Sequence, residues 1–330
     1  MNRYAFGNII LVVALIIIAI LSLLFGRVDL SIAEIVNALF GNPDDPLTII
    51  VRELRLPRVI LGIVVGAAMG VSGAALQGVL RNPLADPGVV GVSASAALGA
   101  VIAIHLGAAS IWPMLMPIFA MAGALVATFI LFIISARESS VLMLILVGIG
   151  ISSLAMAAIS LVMNLAESPM TIRDMIMWML GSLENRTVSD LLLALPFILF
   201  GWLMMINIGQ GLNALSVGED TAQTMGINIK GLKLRVVVGS AISVGAAVAV
   251  CGSIGFVGLV VPHMVRALIS NEPGRILLPS ALMGGLLLTL ADLVTRIPQL
   301  STDLRLGVVT SLIGAPAFLY IIYQTRKNMR

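Results

Sequence analysis

Residues 55–88 decide the fold of this chain, and they read RLPRVILGIVVGAAMGVSGAALQGVLRNPLADPG. The segment from Val59 to Leu80 contains 22 residues and no charged side chain. A helix needs about 20 consecutive apolar residues to cross the hydrocarbon core of a bilayer. Arg55 and Arg58 precede the segment, and a turn with two prolines follows it. The stretch therefore predicts one membrane-spanning helix with two distinctive ends.

Small side chains recur at every fourth residue of this predicted helix, so they lie near one of its faces. They are Gly62, Gly66, Gly70, Ala74 and Gly78. Helices associate in lipid through close van der Waals packing, and small residues let two backbones approach each other. The spacing predicts a buried helix that packs closely on a second helix.

The composition of the whole chain indicates a membrane protein. Of the 330 residues, 59% are hydrophobic and 11% are charged, and the mean hydropathy is +1.11. Soluble domains carry about 25% charged residues. The sequence has no basic cluster with interleaved aromatic residues, so nucleic acid is not an expected partner. We predict a single transmembrane domain over residues 1–330, surrounded by a lipid bilayer.

Charged residues divide the chain into uncharged stretches that predict ten transmembrane helices in an all-α protein. The stretches are residues 4–26, 59–80, 87–136, 139–166, 191–218, 236–265, 276–291 and 306–325. Two stretches are too long for one helix. Pro113 and Pro117 interrupt the third stretch, and a glycine-rich run at 252–258 interrupts the sixth. An even number of spans places both termini on one side of the membrane.

Lysine and arginine predict which side that is. With both termini in the cytoplasm, 11 of the 19 Lys and Arg side chains face inside and 8 face outside. This majority is small but follows the positive-inside rule, and all three lysines are on the inner side. The arginines on the outer side, Arg55, Arg58 and Arg296 among them, need an explanation other than topology.

Two connections are long enough to contain structure of their own. The outer one is predicted to form a short amphipathic helix near residues 170–182, with Trp178 at the depth of the lipid headgroups. The inner one, residues 213–233, contains Glu219 and Asp220, which suit a helix N-terminus, and Gly226, which suits a helix stop. We expect a structured cytoplasmic surface there.

Missing motifs limit the possible functions. The sequence contains no G-x-x-x-x-G-K-[ST], so it has no P-loop for ATP hydrolysis. No carboxylate falls in the middle of a predicted span, whereas ion-coupled carriers usually keep one there. The only histidines, His105 and His263, are a poor basis for an intramembrane metalloenzyme. A transporter with these features must receive its energy from a partner protein.

Six motifs together resemble the FecCD-type permeases, the BtuC-like membrane subunits of ABC importers for iron-siderophore complexes, haem and cobalamin. The resemblance covers nearly the whole chain, and the family fold has ten transmembrane helices per subunit. The motifs are residues 55–58, 66–78, 81–93, 218–226, 255–263 and the pair 291–292 with 306–310.

The resemblance implies three kinds of protein partner. Two cytoplasmic ATPase subunits, which carry ATP and Mg²⁺, contact the 213–233 loop. The residues that match the family's coupling motif are Gly218, Glu219, Asp220, Ala222 and Gly226. A second permease subunit, most simply an identical copy, and an extracytoplasmic substrate-binding protein complete the assembly. The alternative for the 213–233 loop is a solvated surface without a partner. No cofactor and no metal site are expected on this chain.

The resemblance also assigns residues to the two membrane surfaces. Arg55, Arg58 and Arg296 match arginines that pair with glutamates of the binding protein. Two alternatives stay open for them: contact with lipid phosphates, or pairing within the chain with Glu53 or Asp292. At the inner surface the family's cytoplasmic gate matches Asn82, Pro83 and Leu84 and a second turn at Ser139 and Ser140 with Val141 and Leu142.

The predicted function is therefore that of a non-enzymatic permease subunit of an ATP-driven importer for an iron-siderophore complex. Permeases for haem or cobalamin are alternatives within the same family. A stand-alone secondary transporter or channel is the alternative from another class, and co-purification with an ATPase distinguishes the two. The sequence does not identify the chelate, the residues that line its path, or the identity of the second permease subunit.

Overall fold

The apolar runs fold as helices, and every regular element is helical within the residues that the computed structural model describes. These residues are 3–26, 28–42, 44–137, 141–296 and 304–328. The helices are α1 (Arg3–Leu24), α2 (Ile32–Phe40), α3 (Pro46–Ile49), α4 (Leu56–Leu80), α5 (Val92–His105), α6 (Ala108–Ile111), α7 (Leu115–Arg137), α8 (Val141–Asn164), α9 (Pro169–Met179), α10 (Val188–Met204), α11 (Gly209–Val217), α12 (Glu219–Thr224), α13 (Ile229–Cys251), α14 (Val257–Leu268), α15 (Leu277–Val294) and α16 (Leu306–Asn328).

Six of the described helical segments are long and apolar enough to cross a membrane. They are Tyr4–Leu24, Pro46–Leu80, Leu115–Ile134, Met143–Asn164, Ile229–Cys251 and Leu277–Val294. Helices α10 and α11, bent by 51° at a short break, make a seventh span if they are taken together. Three shorter apolar helices, α5, α14 and the first part of α16, coincide with the other predicted spans. The multi-span helical fold is confirmed, and the count of ten stays a prediction.

Helices α4 and α13 form the centre of the bundle. In their most apolar windows 78% and 83% of the residues are buried, whereas only 11% are buried in α1. The predicted span from Val59 is part of a longer helical segment, because a π-helical turn, Ile50–Arg55, joins α3 to α4. The first span, α1, therefore lies at the periphery of the bundle, and the second span, α4, forms part of its core.

The glycines of α4 bring it into backbone contact with its neighbours. A Cβ atom at Gly66 would lie 2.2 Å from the carbonyl oxygen of Gly284, and one at Gly70 would lie 2.1 Å from that of Ser280. Gly73, outside the predicted stripe, makes the same approach to Gly258 at 1.9 Å. The stripe thus faces α15 along much of its length, and Gly78 turns toward Leu212 of α11.

We expect Gly66→Ala to lower the free energy of unfolding by about 1–3 kcal/mol, because the added methyl group meets rigid backbone rather than a movable side chain. The matched control is Gly150→Ala in α8, where nothing lies within 4 Å of the added atom. That change reduces the conformational freedom of the unfolded backbone and introduces no clash. We therefore expect it to stabilise the helix by about 0.5–1 kcal/mol. Detergent-mediated unfolding of both purified variants tests the expectation. Equal stability of the two would contradict the packing described for α4.

Some elements differ from the sequence-based expectations. The short helix predicted near 170–182 is α9, and Trp178 is buried within the protein. Helix α2 was not predicted, although Ser31 and Glu34 form a complete capping box at its start. Residues 213–233 comprise the end of α11, all of α12 and the first turn of α13.

Candidate functional site

One end of the bundle, here named the arginine end, is organised around the buried carboxylate of Asp292. Arg58 donates to this carboxylate from Nε, at 3.1 and 3.0 Å, and from Nη2, at 2.8 Å. Arg296 donates to the same group from Nε at 3.1 Å and also from Nη2. Because α4 and α15 pack side by side, the start of one and the end of the other meet at this carboxylate. The negative charge of a single carboxylate is therefore shared by two positively charged guanidinium groups.

Two arginines of this end, Arg55 and Arg296, cap the C-terminal end of α1. Arg55 donates from Nη1 to the carbonyl oxygens of Leu23 and Leu24, and from Nη2 to that of Val28. Arg296 donates from Nη1 to the carbonyl oxygen of Ser22 at 2.7 Å. The last carbonyls of a helix lack partners within the helix and carry partial negative charge, which favours cations there. The arginines thus join α1, α4 and α15.

The structure brings together the three arginines that the family resemblance assigned to docking. Their side chains are largely enclosed: Arg55 is 8% exposed, and the side chains of Arg58 and Arg296 are 19% and 9% exposed. Burial lowers the pKa of the Arg296 guanidinium, and the adjacent Asp292 carboxylate opposes that shift. Of the alternatives left open by the sequence, pairing with Asp292 describes Arg58 and Arg296. Docking of a binding protein stays a prediction.

The opposite end of the bundle, here named the loop end, contains a tight turn after α4. Arg81 has a φ of +50°, a left-handed conformation that ends the helix. The amide of Leu84 donates to Asn82 Oδ1 at 2.9 Å, and the amide of Gly88 donates to Asp86 Oδ1 at 2.7 Å. Burial raises the pKa of the Asp86 carboxyl, and the bond from Gly88 opposes the rise. Short local bonds thus fix the conformation of this turn.

The predicted gate residues of this turn, Asn82, Pro83 and Leu84, are exposed. The second predicted gate turn, Ser139–Ser140, lies outside the described residues. The chain is described again from Val141, the first residue of α8, and of Val141 and Leu142 only the helical backbone is described. The structure thus describes a tight turn at the first position, and the role of both turns as a gate stays a prediction.

The 213–233 segment presents a short helix at the loop end. Gly218, with a φ of +153°, precedes α12, and Gly226, with a φ of +80°, follows it. Both values lie in the region that favours glycine. Glu219 and Asp220 are exposed at the N-terminus of α12, while Ala222 is fully buried. Of the predicted coupling residues, three thus belong to α12 and two glycines flank it; the helix has a buried face and an acidic exposed end.

A buried lysine holds this helix against α13. Lys233 Nζ lies 2.9 Å from Glu219 Oε1, and the Lys233 side chain is only 5% exposed. On the preceding helix, a Cβ atom at Gly211 would lie 2.9 Å from the Leu232 side chain. The segment is therefore seated on the transmembrane helices rather than projecting as a free loop.

The break between α13 and α14 lines a cavity that the sequence did not identify. Gly252 has a φ of +74° and Phe256 has a φ of +68°, so non-helical chain joins the two helices. The cavity has a volume of about 470 Å³. It is lined by Met179, Leu180, Ser253, Gly255, Gly307, Val308, Ser311 and Leu312. The glycine-rich run predicted the break, but the contribution of α9 and α16 has no local sequence signal.

The cavity offers hydroxyl groups and apolar side chains but no charged side chain. Across the described ranges, no three His, Cys, Asp or Glu side chains come close enough together to hold a metal ion. The cavity therefore offers a ligand apolar contacts and hydrogen bonds with hydroxyl groups.

Several known proteins are similar to this chain in sequence and architecture. Residues 14–324 match the FecCD transport family. The chain is 38% identical over 327 residues to the hemin transport system permease protein HmuU of Yersinia pestis, covering 96% of this chain and 95% of that protein. It is 40% identical over 297 residues to the cobalamin import system permease protein BtuC of Halobacterium salinarum, with coverages of 89% and 78%.

Two further similarities extend over almost the full length. The Fe(3+)-citrate import system permease protein YfmE of Bacillus subtilis is 35% identical over 331 aligned residues, with coverages of 99% and 98%. A solved inward-facing structure of a metal-chelate type ABC transporter matches with a TM-score of 0.84 and 30% identity, covering 96% of this chain and 98% of that one. This chain belongs to the FecCD transport family of ABC transporter permease subunits.

Proposed function

We propose that this chain is the membrane permease of an ATP-driven importer that carries an iron-siderophore complex into the cytoplasm across a bacterial inner membrane. The observation that carries the proposal is the cavity beside the break between α13 and α14. Non-helical backbone at membrane depth is tolerated where it is buried in protein or lines a cavity, because lipid offers its polar groups no partner. We infer that residues 252–256 border the transport path.

The size and lining of the cavity suit a small-molecule ligand held without charged coordinating groups. Its volume of about 470 Å³ is within the range of about 300–1,000 Å³ that small-molecule sites occupy. In the assembly proposed here, a second copy of the chain contributes an equivalent cavity to one shared path. The named relatives carry hemin, cobalamin and iron citrate, so a haem or cobalamin complex is the alternative cargo.

The proposal also assigns the two ends of the bundle. The permease proposed here has ten spans with both termini in the cytoplasm. Its arginine end faces the outside and its loop end faces the cytoplasm. A binding protein delivers the chelate at the arginine end, where Arg58 is the most exposed of the three arginines. Two ATPase subunits, which bind ATP and Mg²⁺, press on α12 and alternate the opening of the path.

Purification of the chain from its native membrane tests the proposal. We expect an ATPase to co-purify, and we expect uptake of a ferric siderophore into reconstituted vesicles to require ATP and the paired binding protein. Uptake that continues without ATP but needs an ion gradient would instead identify a secondary transporter. Transport of hemin or cobalamin in place of the siderophore would identify that compound as the cargo.

The acidic end of α12 provides a specific test of ATPase docking. We expect Asp220→Lys to reduce ATPase co-purification by about tenfold or more, because a reversed charge opposes a complementary surface. The side chain of Asp220 is exposed, so the change leaves the fold intact. Asp44→Lys, which changes another exposed aspartate at the arginine end, is the control and should retain the ATPase. Equal co-purification of the two variants would contradict docking at α12.

A further inference from the structure

Gln77 joins three elements at the loop end. It is 3% exposed, and its Nε2 donates to the carbonyl oxygens of Ala85, in the turn after α4, and Leu259, in α14, each at 3.2 Å. Its Oε1 accepts from Arg266 Nη1, also in α14, at 2.6 Å. Both hydrogens of the amide and its oxygen are therefore engaged. This arrangement ties the turn that contains the predicted gate residues to α14.

Asn213 makes a similar junction on the side of the 213–233 segment. Its Nδ2 donates to Glu272 Oε1 at 2.6 Å, and its Oδ1 accepts from the amide of Gly274 at 2.7 Å. Glu272 is held in turn by Arg275, whose Nε lies 2.8 Å from Glu272 Oε2. These residues belong to the connection between α14 and α15. The side chain of Asn213 thus ties α11 to that connection.

Backbone packing reinforces both junctions. A Cβ atom at Gly274 would lie 2.6 Å from the carbonyl oxygen of Gly209, at the start of α11. A Cβ atom at Gly258 would lie 2.5 Å from Pro87, which follows the gate turn. Interfaces packed this closely rearrange as units rather than deforming continuously. Helix α14 and its connection to α15 therefore form a stiff bridge between the 213–233 segment and the gate turn.

We propose that this bridge transmits movement of the 213–233 segment to the gate turn, with Asn213 and Gln77 as positioning residues at its two ends. The inference rests on the proposed function, in which ATPase subunits dock on α12. Energetic coupling is carried by contiguous packed elements and hydrogen-bond networks that have discrete arrangements. Buried polar groups also resist separation, because an unpaired group loses both its partner and water. The bridge is contiguous and closely packed, and Gln77, at the end near the gate turn, is buried.

The position of the gate turn can be followed with a single cysteine. The chain has one native cysteine, Cys251, which is buried. In a Cys251→Ser background, Leu84→Cys places a thiol on the exposed side of the turn. The complex with its ATPase is reconstituted in inside-out vesicles and treated with a membrane-impermeant maleimide. The labelling rate is measured without nucleotide and with ATP plus vanadate, which arrests the ATPase. ATP hydrolysis is measured in parallel samples without vanadate.

In this parent we expect the nucleotide to change the labelling rate by about tenfold. Asn213→Ala and, separately, Gln77→Met are expected to reduce that change to less than about twofold while ATP hydrolysis continues. Ser160→Ala, which removes an exposed α8 hydroxyl bonded to its own helix, is the control and should respond like the parent. Asn213 lies near the surface, so its variant tests the inference even where Gln77→Met fails to fold.

The double variant separates transmission from simple structural support. If the two junctions act in series, breaking either one already removes the nucleotide response. Asn213→Ala combined with Gln77→Met should then reduce the response no further than either single variant, whereas independent contacts would give additive reductions. A full nucleotide response in Asn213→Ala would overturn the bridge alone. A parent that binds no ATPase would overturn the proposed function, and the bridge with it.

Discussion

Replacing Asp292 by asparagine is expected to lower the free energy of unfolding by about 3–5 kcal/mol, the cost of leaving buried charge without its partner. Its carboxylate is the shared acceptor for Arg58 and Arg296. The two guanidinium groups would repel each other once the carboxylate is neutral. Arg58 belongs to α4, and Arg296, which follows α15, also bonds the end of α1. The change therefore loosens three helices at once.

Equilibrium unfolding of the purified protein in mixed detergent micelles, followed by tryptophan fluorescence, measures this loss. Asp44→Asn is the matched control, since Asp44 is an exposed carboxylate at the same end of the bundle. Adding Arg58→Met to Asp292→Asn removes one of the uncompensated charges. The pair of changes should therefore destabilise the protein less than the sum of the single changes. Additive losses would contradict a shared carboxylate.

The arginine end also shows what local sequence patterns can resolve. The sequence singled out Arg55, Arg58 and Arg296 because positive charge is unusual on the outer side. It named both Glu53 and Asp292 as partners and could not choose between them. The choice depends on the packing of α4 against α15, which brings together residues separated by 234 positions. The glycine spacing predicted that close packing without identifying the partner helix.

Other structural features could be predicted where the residues that cause them lie close together in the sequence. The apolar run of α4, the break at 252–258 and the short helix after Gly218 have signals within a few residues. Helix α2 has one as well, the capping box at Ser31 and Glu34, but it is brief and lies between stronger patterns. The cavity is different, because α9, the 252–256 break and α16 contribute to it from distant parts of the chain.

Filling that cavity should stop transport without dissociating the importer. We expect Gly255→Trp to abolish ATP-driven uptake, because the indole would occupy the proposed path. Nothing lies within 4 Å of a Cβ atom at Gly255, so the side chain enters open space rather than displacing backbone. By contrast, a Cβ atom at Gly307 would lie 2.3 Å from the carbonyl oxygen of Leu180, which makes Gly307 a poor position for this test.

The control is Gly150→Trp, which adds the same side chain to an exposed glycine of α8 with nothing within 4 Å. Both variants should insert and retain the ATPase, because neither residue belongs to α12 or the arginine end. Uptake should be lost only in Gly255→Trp, with ATP hydrolysis continuing in both. Normal uptake by a correctly inserted Gly255→Trp protein would mean that the chelate passes elsewhere. The break at 252–256 would then be a structural feature that protein packing shields from lipid.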